Sequence, residues 1–163
     1  MRGVDLLQVV GISEMLVSGD PTDVLVTYSL GSCIGLAVYD PVLHVGALIH
    51  CMLPLSSIDL QKAQRNPFMF TDTGVSALLK ELFGRGATRN RLIAKVAGAS
   101  NLLDDQNRFN IGQRNMAVLR KILWKNGILL AKEDVGGSIP RSVYFHVVDG
   151  RTVVRASGQE YEL

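Results

Sequence analysis

The sequence predicts an α+β fold, with a mixed or largely antiparallel β core covered by helices. Three observations lead there. Seven or eight short apolar runs rich in β-branched residues are set apart by Gly, Pro and Asp turns. Two other stretches carry apolar residues at helical spacing: Val75, Leu78, Leu79 and Leu82, then Met116, Leu119, Ile122 and Leu123. Most successive runs lie close enough in the chain to pair as hairpins. With 163 residues, 47% of them apolar and 20% charged, the chain suits one globular domain able to bury a core without staples.

In order, residues 6–12 read as a first strand and Ser18-Gly19-Asp20-Pro21 as a turn. Residues 24–52 form three strands, with a glycine turn at Leu30-Gly31-Ser32-Cys33 and a hairpin closed tightly around Pro41-Val42. From 55 to 68 periodicity is lost among polar residues, which reads as a surface loop with a possible gating role. A helix starts at Thr71 or Asp72, either of which can cap it, and stops at Gly84. Residues 91–97 read as a strand ending at Gly98, and 101–109 as a polar loop. The Asp104-Asp105 pair in it lacks a third ligand at useful spacing and reads as a solvated turn. Asn110 and Gln113 form a capping box for the second helix, which ends at Asn126-Gly127. A strand over 128–135, the Gly136-Gly137 break, and two strands around a type I′ turn at Asp149-Gly150 complete the chain.

A formal charge of +2, with bases spread among acids, argues against a nucleic-acid partner. The first ten residues carry Arg2 and Asp5 and suit neither a signal peptide nor membrane insertion. Two cysteines, Cys33 and Cys51, suit a reducing cytoplasm, and their spacing is not that of a metal site.

The chemistry centres on the three-strand unit. Cys33 and His50 are symmetric about Pro41-Val42, so a tight hairpin places them directly opposite, on one face, with Cβ atoms about 4.5–5.5 Å apart. Changing the loop by one residue would turn them to opposite faces. A His⁺ beside a thiol lowers its pKa and yields a nucleophilic thiolate. With Gly31 at positive φ, the backbone N–H groups of Ser32 and Cys33 could receive an oxyanion. Thr27, on the preceding strand, is the nearest group to orient the imidazole. The competing reading is that Cys33 packs as a small hydrophobe. Cys51 points to the other face and reads as core filler, His146 as structural or surface, and His44 as exposed.

The segments T-Y-S-L-G-S-C-I from Thr27 and H-C-M-L-P from His50 resemble the two signature motifs of the CheD family, the chemoreceptor glutamine deamidases. The likeness continues in R-L-I-A-K-V-A-G-A-S from Arg91, I-G-Q-R-N from Ile111 and D-V-G-G-S-I-P-R from Asp134. It departs in the glycine-poor 97–100 loop and in Phe70, where the family carries tyrosine. The resemblance implies catalytic roles for Cys33, His50 and Thr27, no cofactor, and a β-sandwich-like core with two flanking helices, similar to the catalytic domain of the cytotoxic necrotizing factor toxins. It also implies methyl-accepting chemoreceptors as substrates, the CheC phosphatase as partner and a methyl-esterase side activity. A non-catalytic CheC-binding adaptor and a general Cys-His hydrolase are the alternative readings.

Overall fold

The computed structural model of the chain describes residues 4–101 and 109–163. The Asp104-Asp105 pair and most of the polar loop expected around it lie outside the described residues. Among those described, ten strands form two five-stranded sheets. The strands are β1 (Leu6–Val9), β2 (Met15–Ser18), β3 (Asp23–Leu30), β4 (Ile34–Asp40), β5 (Val45–Cys51), β6 (Ile93–Gly98), β7 (Leu130–Val135), β8 (Arg141–His146), β9 (Thr152–Ala156) and β10 (Gln159–Glu162). One sheet has the order β1-β3-β8-β9-β10 and the other β2-β5-β4-β6-β7. The β1–β3 and β6–β7 pairs are parallel and the remaining pairs antiparallel, so the core is mixed, as expected.

The sheets pack face to face. Leu25, Ala37, Leu48, Val143, Phe145 and Val154 fill the layer between them. The alternate residues of β4 and β5, including Leu36, Val38, Ala47, Ile49 and Cys51, point the other way. They meet Val75, Leu78 and Leu82 of α2 (Thr71–Gly84) and Met116, Leu119 and Leu123 of α3 (Ile111–Lys125). β4 is therefore buried on both faces, which is why it reads as an unbroken apolar run. Gly46 lets the sheets approach closely: a Cβ there would lie 2.3 Å from the Phe145 ring.

Several local expectations are corrected. Residues 6–12 hold only the four-residue β1, and the chain then crosses to the other sheet as β2. The segment 55–68 is not irregular: it contains a 3-10 turn (Ser56–Ile58) and the short helix α1 (Leu60–Arg65), capped by the Asp59 side chain. Neither Thr71 nor Asp72 caps α2. Its cap position is Phe70, and the Asp72 carboxylate instead accepts from Ser56 N and Oγ, which pins the preceding segment. The capping box on α3 does not form: Asn110 is left-handed (φ 46°) and makes no side-chain cap bond.

The Asp149-Gly150 turn is longer than two residues. Phe145 pairs with Thr152, and Gly150 has positive φ while Asp149 does not. The type I′ signature belongs to Ser157-Gly158, where both residues have positive φ (52° and 74°) between β9 and the unexpected β10.

Candidate active site

The hairpin that carries the predicted pair closes two residues later than expected. Asp40 pairs with Val45 around a four-residue loop, 41–44. The cause is Asp40, whose carboxylate is buried at the loop's base. It accepts from Val42 N at 2.9 Å and Leu43 N at 3.2 Å, and pairs with Arg91 at 2.7 Å. His44 takes the left-handed turn position (φ 54°), where its ring meets the Tyr39 hydroxyl at 3.0 Å. The ladder therefore opposes Gly35, not Cys33, to His50. A shift of two residues preserves side-chain parity. His50 still points into the inter-sheet layer with Leu48, and Cys33, just outside β4, packs against that same layer.

The glycine opposite His50 has a use. A Cβ at position 35 would lie 2.8 Å from Leu30 Cδ1 and 3.3 Å from Thr27 Cγ2. The absent side chain lets the facing sheet bring Thr27 to the imidazole: Thr27 Oγ1 is 2.7 Å from His50 Nδ1 and 2.7 Å from the Val10 carbonyl oxygen. A carbonyl only accepts, so the single hydroxyl proton goes to Val10 and Thr27 must accept from Nδ1–H. This sets the tautomer. Nε2 is left with its lone pair, buried and without a hydrogen-bond partner among the described residues. The His50 backbone is clamped as well, by Ser13 N donating to its carbonyl and its own N–H donating to Glu14 O.

Burial, not charge, dominates both titrations. Desolvation lowers the His50 pKa to about 4 and pushes the half-buried Cys33 thiol above its ordinary value, with its own backbone N–H opposing the shift. In place of the expected lowering of the thiol pKa by a neighbouring His⁺, burial shifts both groups toward their neutral forms. A neutral imidazole can act as a general base when the sulfur attacks.

The turn before β4 also departs from expectation. Gly31 is not at positive φ; the left-handed residue is Ser29 (φ 55°), at a bulge between the β3–β8 pairs Thr27 and Leu30. What defines the turn is pairing of its three carbonyls. Gly31 O accepts from Ser100 N at 2.8 Å, Cys33 O from Ala99 N at 2.8 Å, and Ser32 O from the Asn115 side chain at 3.0 Å. The Ser32 and Cys33 N–H groups have no backbone or side-chain oxygen acceptor among the described residues. The facing loop comes close because Gly98 has φ 114° and no Cβ; one would lie 2.3 Å from Cys33 O. Arg141 holds that loop, donating to Gly98 O, Ser100 Oγ and Gly136 O while pairing with Asp134 at 3.2 Å.

The structure thus brings Thr27 onto His50 and packs Cys33 against the same inter-sheet layer, with no Cys33–His50 hydrogen bond among the described residues. Cys51 lies on the opposite face, fully buried in the helix-side core, where desolvation raises its thiol far above the ordinary range. His146, half-buried, lies 3.4 Å from an Arg151 nitrogen and takes no part. Asn115 and Arg141 close the segments I-G-Q-R-N and D-V-G-G-S-I-P-R, but the reading of the sequence assigned neither a role. The available signal for Asn115 was a polar residue on the apolar stripe of α3, four before Leu119. Among the described residues no helix is long and apolar enough to cross a membrane.

The family model and the curated relatives agree with one another. The family model described as "CheD chemotactic sensory transduction" matches residues 52–156. A protein of Solibacter usitatus named "Probable chemoreceptor glutamine deamidase CheD" is 48% identical over 155 residues, spanning 95% of this chain and 92% of its own. A Syntrophus aciditrophicus protein named "Probable chemoreceptor glutamine deamidase CheD 1" is 47% identical, spanning 92% of this chain and 94% of its own. Among solved structures, the hypothetical protein YfiH of Bacillus licheniformis aligns with a TM-score of 0.46 at 15% identity. That alignment spans 74% of this chain and only 49% of YfiH, and carries no functional argument.

Proposed function

Because this chain belongs to the CheD family, we propose that it is a chemoreceptor glutamine deamidase in which Cys33 is the nucleophile, His50 the general base and acid, and Thr27 the group that orients His50. One observation carries the reading. Thr27 takes the Nδ1 proton into a hydrogen bond at 2.7 Å and leaves a bare, buried Nε2 in the same layer as the only cysteine that faces it.

The steps follow from that tautomer. His50 Nε2 removes the thiol proton as Sγ bonds to the carboxamide carbon of a receptor glutamine, and the carbonyl electron pair moves onto oxygen. The Ser32 and Cys33 amides receive this oxyanion. On collapse, the proton on Nε2 passes to the departing nitrogen, the C–N bond breaks, and ammonia leaves a γ-glutamyl thioester on Cys33. Water then adds to the thioester carbon with Nε2 again taking a proton. Collapse expels the sulfur, which recovers that proton, and glutamate is released. The balance is glutamine plus water to glutamate plus ammonia. Each conversion adds a negative charge to the receptor; on a helix, like charges at i,i+4 repel by about 0.2–0.5 kcal/mol per pair, enough over several sites to bias a two-state signal.

The family likeness supports three finer parts of this proposal: association with a CheC phosphatase that occludes Cys33, a methyl-esterase side activity, and a chemistry shared with the cytotoxic necrotizing factor toxins. It also supports action in the cytoplasm, where the receptor signalling helices lie. The test is ammonia release and the Gln-to-Glu mass change in receptor peptides incubated with the protein and with Cys33→Ala. The wild type should convert and the variant should not. A converting Cys33→Ala protein refutes the nucleophile, chain cleavage in place of ammonia release favours a peptidase, and a demonstrated CheC complex without turnover favours the adaptor.

A further inference from the structure

Asn115 is fully buried on α3, yet each of its polar side-chain atoms is used, and used on the two segments that the reaction needs. Its Nδ2 donates to Ser32 O at 3.0 Å and to Met52 O at 3.1 Å. Its Oδ1 accepts from Thr71 Oγ1 at 3.1 Å, and Thr71 is also fully buried. The amide orientation is forced, because two backbone carbonyls can only accept and so must face the nitrogen. Asn115 thereby ties the residue before Cys33 to a residue two beyond His50, while Thr71 locks its rotamer.

The Ser32 carbonyl and the Cys33 N–H are the two ends of one peptide group. The chain contains no cis peptide among its described residues, so these ends point in opposite directions. Drawing the oxygen toward α3 aims the Cys33 N–H away from the helix. The neighbouring carbonyls of Gly31 and Cys33 are held by backbone amides of Ser100 and Ala99, which every residue type supplies. Ser32 O is the one of the three held by a side chain, so its orientation depends on residue identity at 115.

We propose that Asn115 is a positioning residue that aims the Ser32–Cys33 peptide as an oxyanion donor and fixes its distance from the His50 strand. It touches neither substrate nor reacting atoms. The inference rests on the deamidase reading above and adds to it a second layer reaching in from α3.

The test compares wild type, Asn115→Leu, Thr71→Val and Cys33→Ala on one receptor peptide, with two readouts. The first is kcat and KM for ammonia release. The second is the rate at which iodoacetamide alkylates Cys33, a displacement that forms no oxyanion. Losing a positioned oxyanion donor lowers turnover by about 10²–10³-fold. Asn115→Leu, of similar volume, should lose about 10²-fold in kcat with KM and alkylation rate changed by no more than about threefold. Thr71→Val, which frees the Asn115 rotamer and also removes the Thr71 hydroxyl from the buried Cys51, should lose about tenfold in kcat with the same unchanged alkylation. It serves as the decisive variant if Asn115→Leu does not fold. Wild-type kcat in the folded variants, or alkylation falling in step with kcat, overturns the proposal. Full turnover by Cys33→Ala would instead bring down the Cys33 nucleophile on which the proposal rests.

Discussion

Replacing Thr27 by valine removes one oxygen and keeps the shape and β-branching that the strand position favours. The consequences follow from two contacts of 2.7 Å. Without the hydroxyl, the Val10 carbonyl and the His50 Nδ1–H are both left buried without their partner. Each such group costs about 1–3 kcal/mol, so Thr27→Val should lose about 2–6 kcal/mol of stability in urea denaturation. The functional loss is separate. Nothing then favours the proton on Nδ1, so Nε2 is no longer reserved as the acceptor, and turnover should fall by about 10²-fold or more. Thr27→Ser keeps the oxygen, loses a methyl worth about 1 kcal/mol, and should recover turnover to within about tenfold of wild type. Nitrogen NMR of labelled His50 reads the tautomer directly. A Thr27→Val protein that turns over like wild type and still carries its proton on Nδ1 would refute the reasoning.

Three other outcomes follow. The His50 pKa is lowered in the folded state, from 6.5 to about 4, so as pH falls between these values the unfolded chain gains a proton that the folded chain refuses. Stability should drop by up to about 3 kcal/mol across that window, and His50→Gln should remove this part of the pH dependence; equal slopes in both proteins would contradict it. The Cys33 thiol is raised by burial, so its alkylation rate should keep climbing through the ordinary thiol range with no plateau in acid, whereas an acid plateau would reveal a resting thiolate–imidazolium pair. Gly46→Ala places a Cβ 2.3 Å from Phe145 between the sheets and should cost about 1–3 kcal/mol in urea denaturation, with an unchanged midpoint contradicting the packing described.

Much of this arrangement was legible in the sequence because strand patterning is local. The apolar runs over β3, β4 and β5, the glycine turn before Cys33 and the helical stripe of α2 follow from residue spacing alone. The hairpin register was misjudged because Asp40 turns its carboxylate inward on Val42 and Leu43, which lengthens the loop. The error is an even number of residues, so it preserves side-chain parity, and Cys33 packs against the inter-sheet layer although its direct opposition to His50 is replaced by Gly35. Burial was the other blind spot. A sequence shows a thiol and an imidazole but not the low-polarity layer whose desolvation disfavours the charged form of each. It likewise hides Asn115, whose three partners at Ser32, Met52 and Thr71 are distant in the chain. The ten-strand count was missed at β2 and β10, each only four residues long, the first reached by a crossover between sheets and the second by the Ser157-Gly158 turn.

Acid-quenched mass spectrometry of the protein during turnover of a receptor glutamine peptide addresses the covalent step most directly. The account predicts a transient adduct on Cys33 equal in mass to the peptide less ammonia, which disappears as glutamate product accumulates and persists longer in His50→Gln if any forms. Product accumulating with Cys33 unmodified at every time point, or an adduct localised to Cys51, would contradict it.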